Sequence, residues 1–197
     1  MDDAVLARHG ESTYSVRPAV NGDPAIPVPL TAQGERQARR LGELLADERI
    51  DLCVTSEFER ARRTAELALA GRPVPVVVMP ELNDPRAGDF EGAELEEYRA
   101  WAHAHGPLAE PPGGGESRAA VAERLAQGYR LLLERTESEL LVVGHSLPIA
   151  YTLNAARGRD PTARVPLLAY GEPHRLSAAE LAAAADRLER WAANPSF

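Results

Sequence analysis

The chain contains one cysteine in 197 residues, so it cannot form an intramolecular disulfide. Structural disulfides belong mainly to secreted domains, and a chain without them suits a reducing compartment. No apolar run approaches the ~18 residues that a membrane-spanning helix needs. The N-terminus also lacks the basic and apolar regions of a secretory signal. We therefore expect a cytoplasmic protein with no membrane segment.

The chain also lacks the excess of positive charge that nucleic-acid and acidic-membrane binders carry. Its 22 basic and 30 acidic side chains give a formal net charge of −8. We expect no nucleic-acid partner, and an anionic small molecule would have to be bound by a local group of arginines. The composition, 44% hydrophobic and 26% charged, is ordinary for a globular protein. The length suits a single domain over residues 1–197.

Short apolar runs alternate with longer amphipathic segments along the chain. The runs predict strands at 4–7, 51–55, 74–79, 140–144 and 165–170. The intervening segments predict helices at 31–46, 57–70, 93–105, 117–136, 147–157 and 177–193. Thr31 is expected to cap the first helix, and capping boxes at Ser56/Glu59 and Ser177/Glu180 predict two further starts. This alternation favours an α/β fold, a three-layer α/β/α sandwich around a mostly parallel sheet.

Two stretches interrupt the alternation and are expected to be loops. Residues 13–30 are rich in Pro, Gly and Val without a clean period, and residues 106–116 form a Pro/Gly-rich segment. Loops of this length inside a compact domain are often functional, although a plain surface excursion is an open alternative.

Polar side chains follow four of the predicted strands. In chain order they are Arg8 and His9; Ser56 with Arg60, Arg62 and Arg63 on the next helix; Glu81 and Asp84; and His145 and Ser146. Ligands of open α/β sheets bind outside the carboxyl ends of the strands, so we expect these residues to share one edge. Each residue alone also fits an ordinary surface or core position. Together they favour phosphoryl transfer, because Arg binds phosphate, a neutral imidazole is a nucleophile and a carboxyl group can donate a proton.

Six blocks in fixed order make a more specific pattern. They are RHGES (8–12), PLTAQGERQA (29–38), TSEFERARRTA (55–65), LNDPRAGDFEG (82–92), GGESRAAVAER (114–124) and VVGHS (142–146). This series resembles the histidine phosphatase superfamily, whose fold is shared by cofactor-dependent phosphoglycerate mutases and many small phosphatases. The resemblance spans roughly residues 4–157.

The resemblance implies a role for each matching residue. His9 is the nucleophile that takes the phosphoryl group, Arg8, Arg60 and His145 surround the phosphate, and Asp84 stands at the place of the general acid. It implies no cofactor and no metal ion. His103 and His105 are two residues apart on a predicted helix and would diverge rather than chelate, and Cys53 is expected to be a buried structural thiol.

Three positions depart from the usual pattern of the family. Asp84 is shorter by one methylene than the Glu of many members. Ser15 stands where many relatives have an Asn that touches the phosphate, and Ser146 stands where Gly is common. We keep both serines as candidate phosphate ligands.

The expected function is metal-independent hydrolysis of small phosphomonoesters. The short segment after Gly92 and the plain C-terminal helix favour hydrolysis over mutase-type phosphoryl transfer. An α/β-hydrolase esterase with Ser146 as nucleophile and His174 as base is a further alternative, although Pro148 stands where the nucleophile elbow needs Gly. A phospholigand-binding protein without catalysis is another. The sequence leaves the substrate and a homodimer open.

Overall fold

The computed structural model describes residues 1–197, and its five strands form a single sheet. The strands are β1 (Asp3–Arg8), β2 (Leu52–Thr55), β3 (Val76–Val78), β4 (Glu139–Gly144) and β5 (Pro173–Ser177). The helices are α1 (Thr13–Val16), α2 (Ala32–Leu44), α3 (Glu59–Ala68), α4 (Leu95–His105), α5 (Arg118–Leu133), α6 (Ser146–Ala156) and α7 (Ala178–Ala193). No helix combines the length and the apolar character needed to cross a membrane.

The sheet has the strand order β3-β2-β4-β1-β5. The pairs β1–β4, β4–β2 and β2–β3 are parallel, and β5 alone runs antiparallel, beside β1. The two central strands are buried on both faces, which explains their continuous apolar runs. In their register Arg8 lies opposite Gly144. The residues that follow, His9 and His145, therefore leave the sheet side by side at its carboxyl edge.

Helices cover both faces of the sheet. Side chains of α2 and α3 pack with Val5, Cys53 and Val143 on one face. The larger core lies on the other face, where α5, α6 and α7 pack against β1 and β4. The predicted three-layer α/β/α sandwich with a mostly parallel sheet is confirmed. Cys53 is completely buried in β2, and burial raises the pKa of its thiol to about 12.

Helix starts agree with the predicted caps at two positions. The Thr31 hydroxyl accepts a hydrogen bond from the Gly34 N–H at 3.0 Å. Ser177 and Glu180 form the reciprocal bonds of a capping box at the start of α7. Both caps supply acceptors to amides that have no partner inside their helix.

The predicted capping box at Ser56 is wrong. Helix α3 begins at Glu59, and the cap residue Phe58 makes no side-chain capping bond. The Ser56 hydroxyl lies 2.8 Å from His145 Nε2 instead. A buried imidazole N–H without an acceptor costs about 1–3 kcal/mol, whereas the free amides at a solvated helix start can bond water instead.

The predicted strand at residues 165–170 is also wrong. The Leu168 N–H donates to Ser146 Oγ at 2.9 Å and the Leu168 carbonyl accepts from Arg8 Nη1 at 2.6 Å, so neither group joins a ladder. The chain turns at Gly171, where φ is 64°, and β5 follows. The apolar side chains of this run do not cover a sheet face, since Val165 and Leu167 line a cavity.

Candidate active site

A cavity of about 200 Å³ opens at the carboxyl edge of the sheet, where β1 and β4 end. Its charged lining consists of Arg8, Arg60, Arg99, Arg118 and Arg164 against the single carboxylate of Asp84. Five guanidinium groups therefore converge in a chain whose net charge is −8. Such a focused positive field attracts small anions to this one place.

His9 follows β1 directly and is fixed in one tautomer. Its backbone N–H bonds the Gly144 carbonyl at 2.9 Å, which extends the ladder by one residue. Its Nδ1–H donates to the Gly10 carbonyl at 2.7 Å, and its Nε2 accepts from Arg60 Nε at 3.1 Å. Burial, with the charges of Arg60 and Arg8, lowers the pKa of His9 well below 6.5. Nε2 is therefore an unprotonated nitrogen inside the cavity, as a nucleophile must be.

Arg60, on the first turn of α3, joins the other groups of the site. Its Nη1 donates to Asn21 Oδ1, and its Nη2 lies 3.2 Å from both Asp84 Oδ2 and His145 Nδ1. Burial lowers the pKa of Arg60 while the charge of Asp84 opposes that shift. Since a guanidinium stays protonated in proteins, Arg60 is a fixed cation beside His9.

His145 directly follows β4 and is the N-cap residue of helix α6, without a side-chain capping bond. Its ring lies 5.3 Å from the His9 ring, centroid to centroid, in an edge-on arrangement. Nε2–H donates to Ser56 Oγ, and Nδ1 accepts from Arg60. Burial is the main cause that lowers the pKa of His145 well below 6.5, with Arg60 next. The two imidazoles are thus neutral neighbours, and all four of their ring nitrogens lie within hydrogen-bond distance of protein groups.

Asp84 follows a short 3-10 turn, Pro80–Leu82, after β3. Its side chain is 27% exposed and forms an ion pair with Arg60 at 3.2 Å. Burial raises the pKa of Asp84 above 3.8, while the charges of Arg60 and Arg8 oppose the rise. A carboxyl group with a raised pKa at the cavity wall is suited to carry a proton to a leaving group.

Arg124 of α5 fixes the segment that leads to Asp84. Its Nη1 donates to the carbonyls of Glu81 at 2.7 Å and Asn83 at 3.1 Å. Its Nε and Nη2 each bond a carboxylate oxygen of the buried Glu116 at 2.8 Å. Both residues lie in the block 114–124, but the sequence does not reveal which carbonyls Arg124 bonds.

Arg8 links the site to the loop after α6. Its Nη1 donates to the Leu168 carbonyl, and its guanidinium carbon lies 3.8 Å from the centre of the Tyr170 ring. Its Nε is buried without a protein acceptor. Burial lowers the pKa of Arg8, and Tyr170 and Asp84 oppose the shift. Arg8 therefore lines the cavity with its guanidinium held between the Leu168 carbonyl and the Tyr170 ring.

Comparison with known proteins bears directly on this geometry. A family model described as the histidine phosphatase superfamily (branch 1) matches residues 4–194. The chain belongs to the histidine phosphatase superfamily. An adenosylcobalamin/alpha-ribazole phosphatase of Escherichia coli (strain K12) is 36% identical over 149 residues, which cover 71% of each chain. A 2,3-bisphosphoglycerate-dependent phosphoglycerate mutase of Methylobacterium sp. (strain 4-46) is 33% identical over 159 residues, 72% of this chain and 74% of that one.

A solved structure extends the likeness to the whole fold. The crystal structure of the alpha-ribazole phosphatase from Shigella flexneri superposes with a TM-score of 0.75 at 30% sequence identity. The superposition covers 88% of this chain and 89% of that one. The structural likeness therefore supports the same family assignment as the sequence match.

The two candidate serines, Ser15 and Ser146, line the cavity, and the hydroxyl of each already has a protein partner. Ser15 Oγ lies 2.9 Å from Ser12 Oγ, in the capping box of the short helix α1. Ser146 Oγ accepts from the Leu168 N–H. A hydroxyl that accepts can still donate to a phosphate oxygen, so phosphate binding by these serines stays a prediction.

Asn21 is a site residue that the sequence analysis did not single out. Besides contacting Arg60, it donates from Nδ2 to Glu91 Oε1 at 2.9 Å, and Glu91 Oε2 accepts from the Gly22 N–H at 2.6 Å. A Cβ at Gly22 would lie 2.3 Å from the Pro85 carbonyl oxygen, so glycine permits this segment to approach the Asp84 loop. The Asn-Gly pair inside the long loop 13–30 was the available signal.

The nucleophile–base pair of the esterase alternative is not formed. The Ser146 hydroxyl bonds a backbone amide, and His174 lies in β5 opposite Leu6. No three His, Cys, Asp or Glu side chains are grouped as metal ligands. His105 bonds the Trp101 carbonyl on its own helix.

Proposed function

We propose that this protein hydrolyses phosphomonoesters of small metabolites through a phosphohistidine on His9. The observation that carries the proposal is the unprotonated His9 Nε2, held 3.1 Å from Arg60 Nε in a cavity that also contains Asp84. A neutral nucleophile, fixed cations and a carboxyl group with a raised pKa are the parts that phosphomonoester cleavage requires.

In the first step His9 Nε2 attacks the phosphorus atom and forms a P–N bond. The P–O bond to the leaving group breaks, and its electron pair stays on the leaving oxygen. Asp84 donates a proton to that oxygen, so an alcohol departs. Arg8 and Arg60 donate hydrogen bonds and positive charge to the phosphoryl oxygens as their negative charge redistributes. When Arg60 turns from His145 Nδ1 to the phosphate, His145 adopts the tautomer with a proton on Nδ1, its Nε2 accepts from the Ser56 hydroxyl, and Nδ1–H donates to the phosphate as well.

In the second step a water molecule attacks the phosphohistidine from the side that the alcohol has left. The Asp84 carboxylate accepts a proton from this water, which restores the acid for the next turnover. The P–N bond breaks, and His9 returns to its neutral form as phosphate leaves. The same carboxyl group thus acts first as acid and then as base.

We propose that the guanidinium groups of Arg8 and Arg60 supply the charge that a metal ion supplies in other phosphatases. Activity should therefore persist in excess EDTA. Loss of activity in EDTA with recovery on adding a divalent cation would contradict this part of the proposal.

Mutase-type transfer is the second candidate, because the Methylobacterium relative is a phosphoglycerate mutase. The two functions differ in their products, since a phosphatase releases inorganic phosphate and a mutase returns an isomeric phosphoester. Incubation with 3-phosphoglycerate, alpha-ribazole 5'-phosphate and other metabolite phosphates, with phosphate release and isomer formation followed together, separates them. We expect phosphate release without isomer.

The decisive experiment is to trap the covalent intermediate. Brief exposure to phosphate-labelled substrate and an alkaline quench should leave acid-labile label on the protein. His9→Ala should carry none, while Ser146→Ala should still be labelled. Label that survives in His9→Ala would overturn the assignment of the nucleophile.

A further inference from the structure

Arg118 is buried in the cavity wall without an acceptor for its guanidinium. It is the first residue of α5, is 5% exposed, and takes part in no side-chain hydrogen bond or ion pair. Its Nε is fully enclosed, and the nearest aromatic face is the Tyr98 ring at 5.3 Å. Buried arginines are normally paired, because a desolvated charge without a counter-ion is costly.

Each of the other arginines of the cavity has at least one protein acceptor. Arg60 pairs with Asp84 and Arg8 with a backbone carbonyl, and both adjoin His9. At the outer wall Arg99 and Arg164 approach Glu96 at 2.6 and 3.8 Å. Arg118 is the exception. An anion entering the cavity would find there a donor that no protein group satisfies.

The nearest carboxylate along the chain is not available to Arg118. Glu116 precedes it by two residues but gives both oxygens to Arg124. The cavity that Arg118 shares with His9 and its arginines is also lined by Tyr98, Leu95 and Leu147. This lining suits the carbon skeleton of a small metabolite, with one charged end at His9 and another at Arg118.

We propose that Arg118 forms a second anion-binding subsite, so that the substrate carries a carboxylate or a second phosphate in addition to the phosphate that His9 receives. The inference rests on the proposed phosphatase function. A guanidinium fork binds either acid group through two parallel hydrogen bonds. Arg118 is thus a specificity-determining residue for dianionic or more highly charged substrates.

Anion binding at Arg118 also changes the pKa of Asp84, the proposed general acid. The positive charge of Arg118 is one of the influences that lower the pKa of Asp84. A second anion bound at Arg118 neutralises that charge, so the pKa of Asp84 rises and its protonated form is favoured. A substrate with two acid groups therefore promotes protonation of its own leaving group.

The test uses alkyl phosphates of increasing length whose far end is a hydroxyl, a carboxylate or a second phosphate. At the length that reaches Arg118, wild-type kcat/KM for an acid-ended compound should exceed that for its hydroxyl-ended partner about tenfold or more, as expected for a charged hydrogen bond. Arg118→Gln should abolish this preference, mainly through KM, so that acid-ended and hydroxyl-ended compounds of that length have nearly equal kcat/KM. The end group, carboxylate or phosphate, that gives the larger preference over hydroxyl identifies the acid group that Arg118 binds.

Two controls separate binding from folding and from general electrostatics. Arg118→Lys keeps the charge without the fork and should retain part of the preference, while a folding defect lowers all rates equally and leaves the ratio intact. Arg86→Gln removes an exposed arginine near Asp84 and should leave the ratio unchanged. Equal preference in wild type and Arg118→Gln, or none at any length in wild type, would overturn the subsite.

Failure of the proposed function would look different. If wild type hydrolysed no compound of the series, calorimetric binding of the same compounds to His9→Ala would still measure the end-group preference. Tighter binding of acid-ended compounds that disappears in His9→Ala/Arg118→Gln would then support the subsite without hydrolysis. Equal binding of all end groups would reject it.

Discussion

Arg60 is the residue on which most contacts of the site converge, and its neighbours on α3 provide matched controls. Arg63 pairs with Glu35 at 3.0 Å and Glu66 at 2.9 Å, and Arg62 is exposed. Arg60→Ala should lower kcat/KM about 10²-fold, because it removes a transition-state contact beside His9. Arg62→Ala and Arg63→Ala should stay near wild type. Equal losses at the three positions would indicate a diffuse basic surface instead of one phosphate ligand.

Asp84 should reveal its role through the leaving group. Asp84→Asn cannot donate a proton, so hydrolysis of alkyl phosphates should slow severely. p-Nitrophenyl phosphate should slow much less, because nitrophenolate leaves without protonation. Glu81→Gln, three residues earlier, is the control and should slow neither. Equal slowing of both substrates in the phosphorylation step would make the role of Asp84 electrostatic or structural.

The pH profile follows from two opposite pKa shifts. In the proposed mechanism His9 must be neutral to attack phosphorus. Its pKa is lowered well below 6.5, so activity should be lost on the acid side only as pH falls through that lowered pKa. Asp84 works protonated, and its pKa is raised above 3.8, so activity declines as pH rises through the raised value. We expect kcat/KM for an alkyl phosphate to peak at acidic pH. The fall of kcat/KM with rising pH should be absent in Asp84→Asn. A fall as large as in wild type would show that another group causes it.

At the scale of elements, helix α5 fixes the segment that leads to Asp84, the proposed general acid, through Arg124. Arg124→Met frees the Glu81 and Asn83 carbonyls and leaves the buried Glu116 unpaired. We expect kcat to fall about tenfold or more for alkyl phosphates, since a small displacement of a reacting group is costly. The loss should be smaller for p-nitrophenyl phosphate, which does not need Asp84.

Arg130 gives the matched control for this prediction. It lies on the same helix and pairs with exposed Asp186 and Glu189. Arg130→Met should keep both rates. If Arg124→Met slowed the two substrates equally, its role would be stability alone and Asp84 would be positioned by other contacts.

The elements that the sequence predicted correctly are those whose residues satisfy local rules. Thr31 and Ser177 cap helices because a hydroxyl lies within reach of their own amides. Ser56 has the same local pattern, yet its hydroxyl bonds His145, 89 residues away. Residues 165–170 are as apolar as a strand, but they line a cavity. In both cases a distant partner decides the structure, and no local pattern contains that information.

For the whole molecule, the sheet order explains why the site could be anticipated. The parallel strands β1, β2, β3 and β4 end at one edge, so the residues that follow them meet there. This argument brings His9, Arg60, Asp84 and His145 together. It could not supply Asn21 or Arg118, because neither follows a strand. Asn21 depends on the path of a long loop, and Arg118 on the absence of a partner that only coordinates reveal.

Because Cys53 is buried, the rate at which its thiol is labelled measures how often the surrounding sheet opens. The chain has no other thiol, and this one is enclosed in β2 between β3 and β4 with a pKa of about 12. A disulfide reagent reacts with exposed thiolate and should not modify the native protein. Labelling would then require the central sheet to open, so its rate should follow the population of that opened state as urea is added. Rapid labelling in the absence of denaturant would show that this part of the sheet separates far below the free energy of global unfolding.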